Sequence, residues 1–400
     1  MNALVHRLRE RATGFGFDRL DLLLVVTFLV VAGSWVNEIS SQPSARYLLT
    51  AAIVERQTVV LDEYEPGLGL DRIELGDHVY SDKAPLQPLL GVPVLAVAEA
   101  AGVAPASSMH DADEINDWAR GNVGAWTQTF VFAVAPGAAL LPLLRRHARR
   151  HVDDHTATVA AVATVCSTMI LLFSVYLYAH VLVAFCAFLA WHVLTSTRGT
   201  PTGRVLLAGT VIGLAVAAEF QIAGAVAIFG LWVLVRHGLP RAIAFGLPTV
   251  AVGIGLLAWN RAVYGTVQTS YSSKPSQRAT HEFLSPPKLY NTVEIFFGHK
   301  GFVFTPIVLV ALAGLAVALY RRMDDVVVPA AMFGFVFALQ AGWSNPWGGE
   351  TANPRYMLLA IPFLAYPLAV ARPWFTTMFF RLLVGLGVVS MGDGASWSGT

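Results

Sequence analysis

The segment His78-Val-Tyr-Ser-Asp-Lys-Ala-Pro85 sets His, Tyr, Ser, Asp and Lys side by side, between an acidic stretch and an apolar run. Ionisable groups held at a membrane surface cost free energy unless they are paired, solvated or used. An Asp82-Lys83 pair beside Tyr80 and Ser81 can hold a phosphate-bearing ligand and orient a hydroxyl. Upstream lie further acids: Glu38, then Asp62-Glu-Tyr, then Asp71. Carboxylates gathered in one loop can supply a general base and a second group that orients a cation or a hydroxyl. Glu38, Asp62 and Asp82 are therefore the candidate catalytic acids.

Cations and polar groups suited to a ligand stand elsewhere in the chain. Lys300 sits in Gly298-His-Lys-Gly-Phe, just before an apolar run, and Arg355 follows an aromatic, Gly-rich stretch. Both suit phosphate oxygens, Arg by its planar fork and Lys as a point charge. His180 opens one apolar run and Glu219 closes another; ionisable groups so placed are functional candidates by default. Between Ala45 and Glu55, apolar Tyr47, Leu48, Ala51, Ala52 and Val54 predict an amphipathic helix lying on the membrane, with Arg46 on it. The candidate ligand-holding set is Arg46, Tyr47, Asp71, Tyr80, Lys83, His180, Glu219, Lys300 and Arg355.

Other chemistries find less support. No Cys-x-x-Cys or outward His-x-x-x-His spacing marks a metal site, although a divalent cation stays open as a cofactor. His147, His151 and His155 recur every four residues, but in a basic stretch that reads as interfacial charge. No phosphate-cradling glycine motif of the nucleotide type is present. Cys166 and Cys186 both lie in apolar runs and read as buried small hydrophobes. A net charge of +1 gives no basis for a nucleic-acid partner.

The elements that must position these residues are membrane helices. Mean hydropathy is +0.58. Charged residues make up 13%, against about 25% in soluble domains. Runs long enough to cross about 30 Å of hydrocarbon lie near Leu20–Val36, Trp126–Leu144, Ala157–Val175, His180–Thr195, Val205–Ala218, Ile222–Val235, Ala242–Trp259, Phe302–Tyr320, Val326–Trp343 and Tyr356–Val370, with a weaker one at Phe375–Met391. The expected architecture is one all-α membrane domain over 1–400, with about 10–11 spans. The first run carries no small-residue cleavage site and is expected to stay as an anchor.

Loop charge then sets direction. With residues 1–19 in the cytoplasm, the Arg145–Arg150 stretch stays cytoplasmic only if Leu86–Val103 does not cross. That run, with Pro88, Pro93 and Glu99, is expected to be a juxtamembrane helix. Loops 37–125 and 260–300 then face outward and collect the candidate residues.

Several motifs together resemble one family. Arg46-Tyr47, Ile53-Val-Glu-Arg-Gln-Thr-Val-Val-Leu-Asp62-Glu-Tyr, Tyr80-Ser-Asp-Lys-Ala-Pro85, Gly298-His-Lys-Gly-Phe and Trp347-Gly-Gly…Pro354-Arg-Tyr follow in the order seen in the GT-C superfamily of polytopic glycosyltransferases. The chain looks most like its bacterial mannosyl-, arabinosyl- and aminoarabinose-transferase-like branch. The resemblance implies inverting transfer of a sugar from a polyprenyl-phosphate donor to a hydroxyl of a glycan, lipid or protein acceptor. The reaction would run at the outer or periplasmic face of the cell membrane, with a first-loop acid as base and basic residues on the lipid phosphate. Two departures stand out. Many members carry Asp just before the Arg-Tyr pair, where this chain reads Gln42-Pro-Ser-Ala, which moves the base to Glu38 or Asp62. Leu86 follows Ala-Pro where a glycine is expected. The rival readings are a transporter or flippase for a lipid-linked or anionic substrate and a non-catalytic assembly subunit. A transporter should show mid-membrane polar groups and internal repeats; here polar groups crowd one side and no repeat is evident.

Overall fold

The structure is a computed structural model that describes residues 18–36, 41–68, 71–103, 123–196, 201–268, 285–298, 301–343, 346–347 and 354–395. Helix α1 (Arg19–Gly33) starts where the Asp18 carboxylate accepts from the Asp21 amide at 2.8 Å. Next come α2 (Ser41–Arg56), a 3-10 turn at Asp62–Tyr64, the short α3 (Glu65–Leu68) and the antiparallel hairpin β1 (Arg72–Leu75) and β2 (His78–Ser81). Leu75 pairs with His78, so the turn has two residues, and Gly76 supplies the left-handed φ of 61° that its first position needs. Helix α4 (Leu86–Ala100) follows and packs along α2.

The bundle continues with α5 (Val123–Thr129), which runs through a π turn at Phe130–Val134 into α6 (Ala135–Ala148), then α7 (Asp154–Cys166), α8 (Met169–Ser174) and α9 (His180–Thr195). After these come α10 (Thr202–Ala218), α11 (Ala223–His237), α12 (Leu239–Tyr264), α13 (Leu289–Phe297), α14 (Pro306–Tyr320), α15 (Val327–Gly342), α16 (Ala365–Ala371) and α17 (Thr377–Ala395). Among the described residues, three continuous helical stretches, Val123–Ala148, Phe220–His237 and Leu239–Tyr264, are long and apolar enough to cross a membrane. Along α12, Leu239, Ile243, Leu247, Val250, Ile254 and Leu257 point outward, as a lipid-facing stripe does. Its inner side meets α10 at Gly209, where a Cβ would come 2.1 Å from the Phe245 carbonyl oxygen.

Three expectations are corrected. Helix α2 does not lie on the membrane: its residues from Gln42 to Ala52 are all buried, because Arg46 and Thr50 find polar partners inside the protein. The expected spans Ala157–Val175 and Tyr356–Val370 are broken. The first breaks at Ser167, where the Thr168 hydroxyl caps α8. The second is two 3-10 turns ahead of α16, with Pro362 lacking the amide a longer helix would need. His147 is not interfacial charge either: it is buried against Phe188, Trp191 and Tyr366, in the apolar core.

Candidate active site

Two buried charge clusters form where the hairpin, α2 and the helix ends of the bundle meet. In the first, α10 ends at Glu219, whose extended backbone (φ −157°, ψ 116°) breaks the helix before a 3-10 turn at Phe220–Ile222 leads into α11. The break leaves the Glu219 carboxylate inside, 2.8 Å from Arg46 Nη2, with both side chains 1% exposed. Arg46 Nη1 also donates to the Ala218 carbonyl at 3.4 Å, satisfying an end of α10. His180, the first residue of α9, brings Nδ1 to 3.5 Å from Glu219 Oε2, longer than a good hydrogen bond. Its ring lies among Phe173, Tyr178 and Tyr356, with centroids 5.8, 5.5 and 5.7 Å away.

The second cluster hangs on the hairpin. The chain leaves β2 at Ser81, and the Lys83 amide donates back to the Ser81 hydroxyl at 3.2 Å. Lys83 Nζ then stands 2.5 Å from Asp71 Oδ1 and 3.0 Å from Asp82 Oδ1. Lys83 and Asp82 are buried, while Asp71 keeps 23% exposure. The end of α12 locks this turn, since the Tyr264 hydroxyl donates to the Ser81 carbonyl at 2.9 Å and its ring meets Tyr80 edge-on at 6.2 Å.

Arg355 completes the site from the far end of the sequence. Its guanidinium lies over the Tyr356 and Tyr178 rings at 5.3 and 5.9 Å. Gln340 of α15 holds this stretch in place: its side-chain oxygen accepts from the Tyr356 amide and its nitrogen donates to the Pro346 carbonyl, both at 2.9 Å. Tyr178 and Tyr356 lie against both the Arg355 guanidinium and the His180 ring, which joins Arg355 to the first cluster. Each carboxylate of these clusters is paired with a cation. A phosphate entering here would exchange carboxylate partners for phosphate oxygens, with Lys83 and the guanidinium forks already oriented.

The backbone course matches known structures. ArnT from Cupriavidus metallidurans superposes with a TM-score of 0.57 in its apo state, at 15% identity, over 90% of this chain and 61% of that one. Its undecaprenyl-phosphate complex gives 0.56, at 13% identity, over 92% and 62%. The archaeal oligosaccharyltransferase AglB from Archaeoglobus fulgidus, in complex with an inhibitory peptide and a dolichol-phosphate, gives 0.52, at 13% identity, over 95% and 56%. This chain has the GT-C fold. It spans about three-fifths of the length of those structures. No protein-family model and no curated protein matches it.

Within the GT-C fold the predicted site residues part company. Arg46, His180 and Glu219 come together, as do Asp71, Asp82 and Lys83, with Tyr80 and Arg355 alongside. Tyr47 is buried in a satellite apolar cluster with Leu61, Tyr64 and Leu95. Asp62 serves the hairpin: one oxygen accepts from the Val79 amide at 2.6 Å and the other meets His78 Nδ1 at 2.8 Å. Glu38 and Lys300 lie outside the described residues. Among the described residues no group of three or more His, Cys, Asp or Glu side chains is disposed to hold a metal ion. Gln340, Tyr264 and Tyr178 escaped the sequence reading. A glutamine inside the apolar run Phe-Ala-Leu-Gln340-Ala-Gly was the available signal for the first.

Proposed function

We propose that the protein transfers a sugar from a polyprenyl-phosphate donor to an acceptor hydroxyl at the outer face of the membrane, with inversion. The carrying observation is two buried charge clusters, Lys83 with Asp71 and Asp82 and Arg46 with Glu219 and His180, with Arg355 over Tyr178 and Tyr356, within a GT-C fold. Polyprenyl phosphate is a hydrophobic leaving group, so its donor must be met at the membrane plane. Cations placed beforehand stabilise the charge that develops on the departing phosphate. Lys83 and Arg355 take that role. The acceptor proton goes to Asp82, the candidate acid that stands beside Lys83. We put it ahead of Asp62 because both Asp62 oxygens are engaged by the hairpin, and Glu38 is the alternative. Two of the structures sharing this fold carry undecaprenyl phosphate and dolichol-phosphate, which supports the donor class.

The test is transfer of label from radiolabelled polyprenyl-phosphate sugars by the purified protein. Asp82→Asn should lower turnover about a hundred- to ten-thousand-fold and leave donor binding intact. Lys83→Met should weaken donor binding itself. No transfer from any such donor, with the protein folded, would sink the reading.

A further inference from the structure

Helix α15 carries a glutamine deep in its apolar run, and Gln340 is 0% exposed. Both atoms of its amide are used. Oε1 accepts from the Tyr356 amide and Nε2 donates to the Pro346 carbonyl, each at 2.9 Å. The Arg355 amide adds a longer contact to the Trp347 carbonyl at 3.5 Å. One side chain thus draws residues 346–347 and 355–356 together. Glutamine suits this task because it gives and takes a hydrogen bond at once, whereas ionised Glu only takes and Met does neither in any strength.

The base of this clamp is itself fixed. A helix leaves its last carbonyls without partners of its own, and at the end of α15 the start of α13 supplies them. Asn291 Nδ2 donates to the Ala341 and Trp343 carbonyls at 3.0 and 2.9 Å. Lys288 donates to Ala341 through its amide at 2.9 Å and to Trp343 through Nζ at 3.0 Å. A Cβ on Gly342 would come 2.2 Å from the Ser285 carbonyl oxygen, so the two backbones are in close contact there.

What the clamp fixes is the seat of Arg355. Tyr356 is 2% exposed; Gln340 holds its amide, and its ring meets Trp343 edge-on at 5.0 Å. The Arg355 guanidinium lies over that ring at 5.3 Å, and its Nη2 reaches the Tyr356 hydroxyl at 3.5 Å. Gln221, in the turn after Glu219, reaches the same hydroxyl from the other side of the sequence, also at 3.5 Å. A long cationic side chain loses rotamer freedom when it takes hold of a ligand, and a guanidinium placed beforehand loses less.

We infer that Gln340 is a positioning residue for the donor phosphate: without touching the carrier, it sets carrier affinity by fixing the Tyr356 shelf on which the Arg355 guanidinium is aimed. This rests on the transferase reading above and adds a residue of helix α15 to its donor site. A clamp that served the fold alone would matter equally whatever stood at position 355. A positioning clamp matters to the carrier only while the guanidinium is there.

The experiment is a double-mutant cycle read by binding of bare polyprenyl phosphate to the purified full chain, each protein held below its own melting transition in detergent. Arg355→Met should weaken binding about ten- to a hundredfold, the loss of a charge-assisted contact. Gln340→Met keeps side-chain volume and removes both hydrogen bonds; it should weaken binding about three- to tenfold, within the usual range for coupled neighbours. The double variant should bind as Arg355→Met does, to within about twofold. Should Gln340→Met fail to fold, Gln340→Asn keeps the amide on a shorter stem and should show a smaller loss with the same dependence on Arg355. Affinity that stays at the wild-type level in the folded Gln340 variants overturns the inference. So do losses that multiply in the double variant, since Gln340 would then act by another route. Arg355→Met binding as the wild type overturns it as well, and leaves the transferase reading to rest on Lys83. A wild type that holds no polyprenyl phosphate overturns both.

Discussion

Asp62 and Glu219 are both acids, but their surroundings give them different work. Asp62 is exposed, and the hydrogen bond from His78, helped by the Val79 amide, holds its carboxyl below the usual carboxylate range. A lowered folded-state value stabilises the hairpin above the ordinary carboxyl range near pH 4. That contribution fades as pH falls through the lowered value. Hydrogen exchange over residues 72–81 should therefore accelerate below about pH 4, and Asp62→Asn should flatten that dependence; protection that ignores pH in the wild type would refute it. Glu219 is buried against Arg46, so removing one partner leaves a buried uncompensated charge, at a cost of about 3–5 kcal/mol. Glu219→Met should lose that much stability in denaturant titrations in detergent, and adding Arg46→Met should restore most of it. The Asp82–Lys83 pair could be read from adjacent letters. Arg46 and Glu219 stand 173 residues apart, and only the break at the end of α10 joins them. The sequence showed each as a charge beside an apolar run, without its partner.

Helical elements were legible where length and apolarity coincided, as in Leu239–Tyr264. They were less legible where the chain stops a helix within an apolar run. Ser167-Thr168 and Pro362 interrupt runs whose hydropathy continues across them, because local capping and a missing amide decide backbone course while hydropathy records only the solvent. Helix α2 shows the converse: its apolar face was readable, but burial of its polar side as well depends on Glu219 and Pro88, supplied by other elements. The expectation that α4 stays at one interface sets the direction of every later helix. With Cys166 and Cys186 replaced by Ala, an impermeant maleimide added outside should label Asp113→Cys, which lies outside the described residues. It should not reach Arg149→Cys, whose side chain is 43% exposed at the end of α6. The opposite pattern would make α4 a crossing helix and invert the bundle.

On the scale of the whole molecule, the charges divide between the two ends of α9. His180 begins that helix within the candidate site, and His192, about 18 Å along it at 1.5 Å per residue, meets Arg150 just past the end of α6. At that second end Arg145, 2% exposed, binds Asp18 and Asp21 through Nη1 at 2.8 Å and Asp154 through Nη2 at 2.8 Å. Arg146 adds a further bond to Asp21 at 2.9 Å. One guanidinium thus ties the starts of α1 and α7 to the end of α6, and it carries no group of the candidate site. Arg145→Met leaves Asp21, itself buried, with only Arg146, and should cost about 3–5 kcal/mol. Arg145→Lys keeps the charge but loses the fork that reaches three carboxylates, so it should fall between the two. Denaturant titration in detergent would rank the three proteins, and binding of bare polyprenyl phosphate below their unfolding transitions should be equal in all of them. Lost carrier binding in a folded Arg145→Met protein would mean that the two ends are coupled through α9. The site could then no longer be treated as a local construction of α2, the hairpin and the helix ends around them.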